Sequence, residues 1–394
     1  MRILALALLL LLTFAGRALA LPSDPPSGDE LQQQIDDELD RLVQSLDLGA
    51  LQQKLDALGA VPDSMADARS LVQKVASGNF QYLGSDMLAL LVQSVSRPIS
   101  SGVAVFAQLF LLIVISGLLT QLTKSFSNEG ASKVAALIVY AAAAVIIVTA
   151  MGSAIRSTGE AIDGLIGTAQ CVFPVLSMML AGTGGLASAA VLQPAWSVIV
   201  ETASWMTKEV LIPAALYGGL LAVAGNLTEK SLLTELGSLV RSAGVWIAGG
   251  VMTVFVAVTA IQGGAAVSYD GISFRAAKYA VDSMVPYLGG MFSDMADTLV
   301  GCSLLVRNAV GMAGLLVMVA ALLGPVAGAL STYFAFRLAA ALSGALESKQ
   351  LGAILGEAAK VTMLLLVILL LAFVLLFFML TMTLNAGNNI LAMR

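Results

Sequence analysis

The run Val-Thr-Met-Leu-Leu-Leu-Val-Ile-Leu-Leu-Leu-Ala-Phe-Val-Leu-Leu-Phe-Phe-Met-Leu-Thr-Met-Thr-Leu, residues 361–384, decides the fold class. It carries no charged side chain and exceeds the ~20 residues that an α-helix needs to cross a bilayer. A buried core helix has no need of such a length without a polar face. The run therefore reads as a transmembrane helix, and the rest of the chain can be searched for more of the same.

Moving outward, further spans are expected at about 99–122, 134–153, 196–222, 245–262 and 308–334. Two other segments, 171–192 and 283–304, are apolar but rich in Gly, Ala, Ser or Asp. Each reads as a partial crossing or a re-entrant segment. Composition agrees with this reading: 58% of the residues are hydrophobic, 11% are charged, and a soluble domain averages about a quarter charged. The fold class expected is all-α, a polytopic helical membrane protein.

Residues 1–20 have the make-up of a signal peptide. Arg2 precedes an apolar run from Ile3 to Ala15, and Ala18-Leu19-Ala20 supplies the small-residue cleavage site. Residues 21–98 follow as an acidic extracytoplasmic segment, with twelve Asp/Glu against five Lys/Arg. Within it, Leu31, Ile35, Leu39, Leu42 and Leu46 recur at helical spacing, and Leu51, Leu55 and Leu58 continue the pattern. Such a stripe needs cover. It serves either as a docking surface for a partner or as a stalk that rests on the membrane domain. Residues 99–394 form that domain and hold thirteen charges of each sign. This balance does not suit a nucleic-acid binder, which would be basic.

The positive-inside rule orients the bundle. With 171–192 and 283–304 as partial segments, the loops at Lys124/Lys133, Lys230/Arg241 and Arg337/Lys349/Lys360 fall together on the cytoplasmic side. Glu160, Asp163, Asp270, Asp282, Asp294 and Asp297 then fall outside. A weak internal repeat of about 112 residues supports six spans plus two partial ones. Phe173-Pro174-Val175-Leu176 returns as Val285-Pro286-Tyr287-Leu288, and Leu211-Ile212-Pro213 as Leu323-Gly324-Pro325. Glycines at 182, 184–185, 249–250, 324 and 328 read as close-packing positions between helices.

Catalytic chemistry finds no foothold. Histidine is absent, so no Ser-His-Asp or Cys-His arrangement and no H-E-x-x-H zinc site can be built. Cys171 and Cys302 stand far apart in apolar stretches and make neither a metal-ligand spacing nor a disulfide framework. No phosphate-binding loop occurs. No catalytic residue, cofactor or metal is expected. Glu201, Lys208 and Glu209 are the candidate intramembrane polar residues, because Glu201 and Lys208 share a helix face two turns apart. Against that, Trp196 and Trp205 suit an interfacial belt, which would leave 196–209 at the membrane surface. Arg307, at the start of a span, reads as a snorkelling side chain.

The stretch 269–311 carries a resemblance. Its Asp270-Gly271, Arg275, Lys278, Pro286, Gly289, Phe292, Asp294, Asp297-Thr298, Asn308 and Gly311 resemble the stage III sporulation protein AE family. The order of signal peptide, helical segment and polytopic domain is similar too. The resemblance implies an integral component of a mother-cell assembly of eight proteins. This assembly meets a forespore membrane protein between two membranes and forms a secretion-like channel or feeding tube needed after engulfment. It implies other membrane proteins of that complex as partners, beside the lipid bilayer, and leaves an oligomer open. It implies no nucleic acid and no enzyme activity. It marks Asp270, Gly271, Arg275, Lys278, Pro286, Asp294, Asp297 and Asn308 as a partner-facing stretch. The alternatives are a stand-alone secondary transporter with a site near Glu201 and Lys208, and a scaffold without a pore.

Overall fold

The computed structural model describes residues 29–58, 66–78, 81–125, 129–183, 185–228, 232–257, 289–346 and 348–392. Among these residues every regular element is a helix. Three short ones come first: α1 (Asp29–Ser45), α2 (Gly49–Ala57) and α3 (Ala68–Ala76). Long ones follow: α4 (Gln81–Ser125), α5 (Glu129–Gly182), α6 (Leu186–Trp205), α7 (Ile212–Leu227), α8 (Leu232–Ala257), α9 (Gly289–Ala345) and α10 (Lys349–Ala392). Six stretches are long and apolar enough to cross a membrane, as the six spans read from sequence require. One of them runs through α6 and α7 as a single unit, Leu186–Leu227.

The turns between helices gather at one end. Gln350 donates from Nε2 to the carbonyl of Asn226 at 2.9 Å, which ties the α9–α10 turn to the end of α7. The hydroxyls of Ser116 and Ser348 lie 3.0 Å apart and bring α4 to the same level. Arg241, Arg337, Lys349 and Lys360 therefore lie toward one end of the bundle, as the charge pattern requires.

Two segments differ from expectation. Residues 171–182 are the continuation of the α5 span, and 186–192 begin the next helix after a break at 183–185. Residues 289–304 run without interruption into the span at 308–334. The partial segments are thus extensions of their neighbours, and hydropathy alone could not see the continuity. At 1.5 Å per residue, α5 is about 81 Å long and α9 about 86 Å, far beyond the ~30 Å of a hydrocarbon core. Charge shows where the membrane fits. Lys133 and Arg156 lie about 35 Å apart along α5, and Arg97 and Lys124 about 40 Å apart along α4. The remaining ~39 Å of α5, from Arg156 to Gly182, stands beyond that slab. The bundle has two storeys.

α1–α3 belong to the upper storey. Leu39 and Val43 of α1, Leu51 and Leu55 of α2, and Leu71, Val72 and Val75 of α3 are buried. They share one core with Val172 and Leu176 of α5, Val306, Val310 and Ala313 of α9, and Leu380 and Leu384 of α10. The leucine stripe of the acidic segment is thus spent on the chain's own bundle. Polar bonds fix the arrangement. Asp67 caps α3 by accepting from the N–H groups of Arg69 and Ser70, each at 3.2 Å. Gln52 of α2 accepts from the Ala68 N–H and donates to the Ala66 carbonyl, both at 2.7 Å.

Proline explains the one irregular turn. Pro213 lacks the N–H that would bond to the carbonyl four residues back, and a π-turn at Met206–Leu211 precedes it. Close helix contacts fall on glycines other than those expected. A Cβ at Gly219 would stand 2.6 Å from Met151 Cε, and one at Gly311 would stand 2.5 Å from Leu384 Cδ2. At Gly249 and Gly250 the space is open, so those two are not packing positions. The compared repeat positions 285–288, and residues 1–20, lie outside the described residues.

Candidate functional site: the upper storey and its buried charges

The tip of the upper storey is a helical hairpin made by the end of α5 and by α6. From Gly164 to Val200 the chain has no charged residue. Its inner side is fixed by Phe173 and Trp196, whose rings stack at 4.3 Å with 7° between planes. At the turn, Gly185 donates its N–H to the Leu180 carbonyl at 2.9 Å. A Cβ there would meet Leu180 Cδ1 at 2.7 Å, so the tight reversal requires glycine. The outer side shows large apolar groups: Met178 is 73% exposed, Leu186 68% and Val198 65%. Contiguous apolar surface of this kind marks an interaction site on a water-facing element.

A belt of charge separates this hairpin from the membrane level. Lys208 Nζ lies 2.7 Å from Asp163 Oδ1 on α5, with both side chains about half exposed. Glu201 and Glu209 are exposed as well. The structure therefore places all three candidate polar residues on the bundle surface, and Lys208 reaches across to α5 rather than along its own helix to Glu201. Trp205, exposed beside them, suits an interfacial position, whereas Trp196 is buried.

The charges that do enter the interior lie elsewhere. Arg241 of α8 and Glu357 of α10 are paired at 2.5 Å and both are buried. Lys360 adds a second contact to Glu357 at 2.7 Å from the surface. Gly218 of α7 lies flush against this pair, since a Cβ there would stand 2.6 Å from Arg241 Cγ. Sequence reading missed Glu357. The signal available was the Glu357–Lys360 spacing at the start of a span, with Arg241 the only nearby cation on α8.

Arg307 corrects the snorkelling expectation. It is wholly buried and donates from Nη2 to the carbonyls of Thr383 and Leu384 on α10, at 3.3 Å and 2.5 Å. Its Nε and Nη1 have no partner among the described residues. The guanidinium cannot reach the membrane surface because α10 continues beside it and α1–α3 roof the same level. Asn308 lies half-buried next to it. Asp294 and Asp297 fall on the described backbone of α9, but their side chains lie outside the described residues. Asp270, Gly271, Arg275, Lys278 and Pro286 lie outside the described residues altogether.

Cys171 and Cys302 are free thiols on α5 and α9. Among the described residues no three metal-binding side chains come together. The upper storey thus offers surfaces and no assembled catalytic group.

Residues 66–387, from the approach to α3 through most of α10, match the family described as stage III sporulation protein AE. The chain belongs to the stage III sporulation protein AE family. It is similar to the stage III sporulation protein AE of Bacillus subtilis (strain 168), 26% identical over 336 residues, which are 85% of this chain and 84% of that protein. No solved structure matches. The family match leaves out α1 and α2, although both pack on the region it covers. The quoted 269–311 stretch lies wholly inside it.

Proposed function

We propose that this chain is a non-enzymatic membrane component of the mother-cell sporulation channel that links mother cell and forespore, and that it serves forespore development after engulfment. It sits in the mother-cell membrane around the forespore. Its basic end faces the cytoplasm and its upper storey faces the space between the two membranes. Other membrane proteins of the same complex meet it there.

The charge-free hairpin at 164–200 is the observation that carries this reading. An apolar surface that rises ~39 Å beyond the charged belt cannot remain in water unpartnered. The acidic helices α1–α3 cover the other side of the same level, which leaves the hairpin as the open face. A stand-alone transporter would need its site near Glu201 and Lys208, and both are exposed and outside the bundle interior.

The test is genetic. A deletion strain should complete engulfment and then fail to form heat-resistant spores, and the wild-type chain should restore them. Met178→Glu and Val198→Glu, which alter only exposed positions, should restore the protein level without restoring spores. Normal spore numbers in the deletion strain would overturn the proposal.

A further inference from the structure

The lower storey holds a groove with a different occupant in view. It runs between α4 and α9, has a volume of about 500 Å³, and is walled by Val95, Ile99, Val103, Leu323, Phe334 and Leu338. Gly102 and Ser331 explain its shape. A Cβ at Gly102 would collide with Ser331, so the two helix backbones touch there. To the side of that contact, Ala327 and Ala335 are too small to fill the trough between the larger flanking groups. The groove lies inside the membrane-crossing stretches Val92–Leu118 and Val300–Ala345.

We propose that this groove holds one acyl chain of an anionic phospholipid from the leaflet on the side of the helix turns. Three observations narrow the occupant to this chemistry. The lining has no charged residue, and the Ser331 hydroxyl is engaged, donating to the Ile99 carbonyl at 3.2 Å. The wall therefore offers a guest only hydrocarbon contact. The section is narrow. From Leu323 to Leu338 the groove extends ~22 Å, and 500 Å³ spread over that length leaves a mean section of ~23 Å², against ~80 Å² for a helix 10 Å across. A hydrocarbon chain enters such a slot and a helix of a second copy does not. Charge marks the end at which the headgroup sits. Arg337 is exposed one position before Leu338, toward the end where the basic residues gather. A phosphate there meets a guanidinium at the level of the headgroups. The inference is independent of the role proposed in sporulation.

Native mass spectrometry of the purified full chain tests it, with palmitoyl-oleoyl phosphatidylglycerol and the phosphatidylcholine of the same chains as probes. The wild type should retain one phosphatidylglycerol in preference to phosphatidylcholine. Arg337→Gln should reduce that preference about fivefold, the weight of one arginine at a charged surface. Val103→Trp and Ile99→Trp plug the groove from positions that are already exposed. Each should lower retention of both lipids by at least about tenfold. Equal retention of the two lipids by the wild type would overturn the proposal, as would undiminished retention in both plugged variants. Dimers that disappear in Val103→Trp would also overturn it, since the groove would then be a contact between copies.

Discussion

Removing the carboxylate of Glu357 should be the most costly single change in the lower storey. Arg241 and Glu357 are buried between α8 and α10, and Arg241 Nη1 already has no partner among the described residues. Breaking a buried pair by deleting one member costs about 3–5 kcal/mol, because the other charge remains without compensation in a poorly polar setting. Lys360 cannot take the place of Glu357, since it is a cation. Its own contact, from a side chain 63% exposed, contributes at most ~1 kcal/mol. Glu357→Ala should therefore lower the folding equilibrium constant by about two orders of magnitude. Arg241→Met keeps the Cγ that fills the space against Gly218. Combined with Glu357→Ala it removes both charges, and the loss should shrink or change sign, because apolar replacements of a buried pair are often neutral or stabilising. The assay is unfolding of the purified chain in mixed micelles with rising dodecyl sulfate, followed by tryptophan fluorescence across the double-mutant cycle. A coupling below ~0.5 kcal/mol, the level at which independent sites add, would refute the reasoning.

Three further outcomes are expected. A cysteine replacing the exposed Ser238 on α8 should react with a membrane-impermeant maleimide only after the cells are opened, and labelling of intact cells would invert the orientation. Leu71→Ala should cost about 2–5 kcal/mol at the core shared by α1–α3 and the bundle, and limited proteolysis should then release α1–α3 before it cuts α9. Asp163→Asn should change stability by less than ~1 kcal/mol, because its partner Lys208 is half exposed. A larger loss on thermal unfolding would mean that the charged belt is buried in the native assembly.

The six crossings were legible because lipid imposes a simple demand, ~20 residues without charge. Runs such as 361–384 meet it openly. The height of the bundle was not legible. Residues 171–182 and 289–304 are apolar for a different reason, which is contact with α1–α3, with one another and with α6. Hydropathy gives the same signal for a side chain buried in protein as for one buried in lipid, so the extensions read as separate partial crossings. The positions of the charges were misread for the same cause. Arg307 stands at the start of a span in sequence, where an arginine ordinarily reaches the surface. The upper storey closes over it, and only the three-dimensional partners Thr383 and Leu384 reveal that. Glu357 looked like half of an ordinary surface pair with Lys360 because its deciding partner, Arg241, is 116 residues away.

The leucine stripe at 31–46 bears on where partners can dock. Read alone, an amphipathic acidic helix is an obvious docking element, since it offers an apolar face and a charge. Here Leu39 and Val43 are buried against α9 and α10, and the acidic side of α1 faces solvent. The only face this segment still offers is a charged one, where single contacts are worth little in water. The hairpin at 164–200 has the opposite character, with no charge and large exposed apolar groups. Any partner that docks there must itself bring an uncharged face, because the hairpin has nothing with which to pair a buried charge. Stability of the complex should therefore rest on the hairpin, while the acidic layer governs approach and the exclusion of other acidic surfaces. That division predicts opposite salt responses. High salt should slow encounter between the chain and a basic partner while leaving an assembled hairpin contact in place.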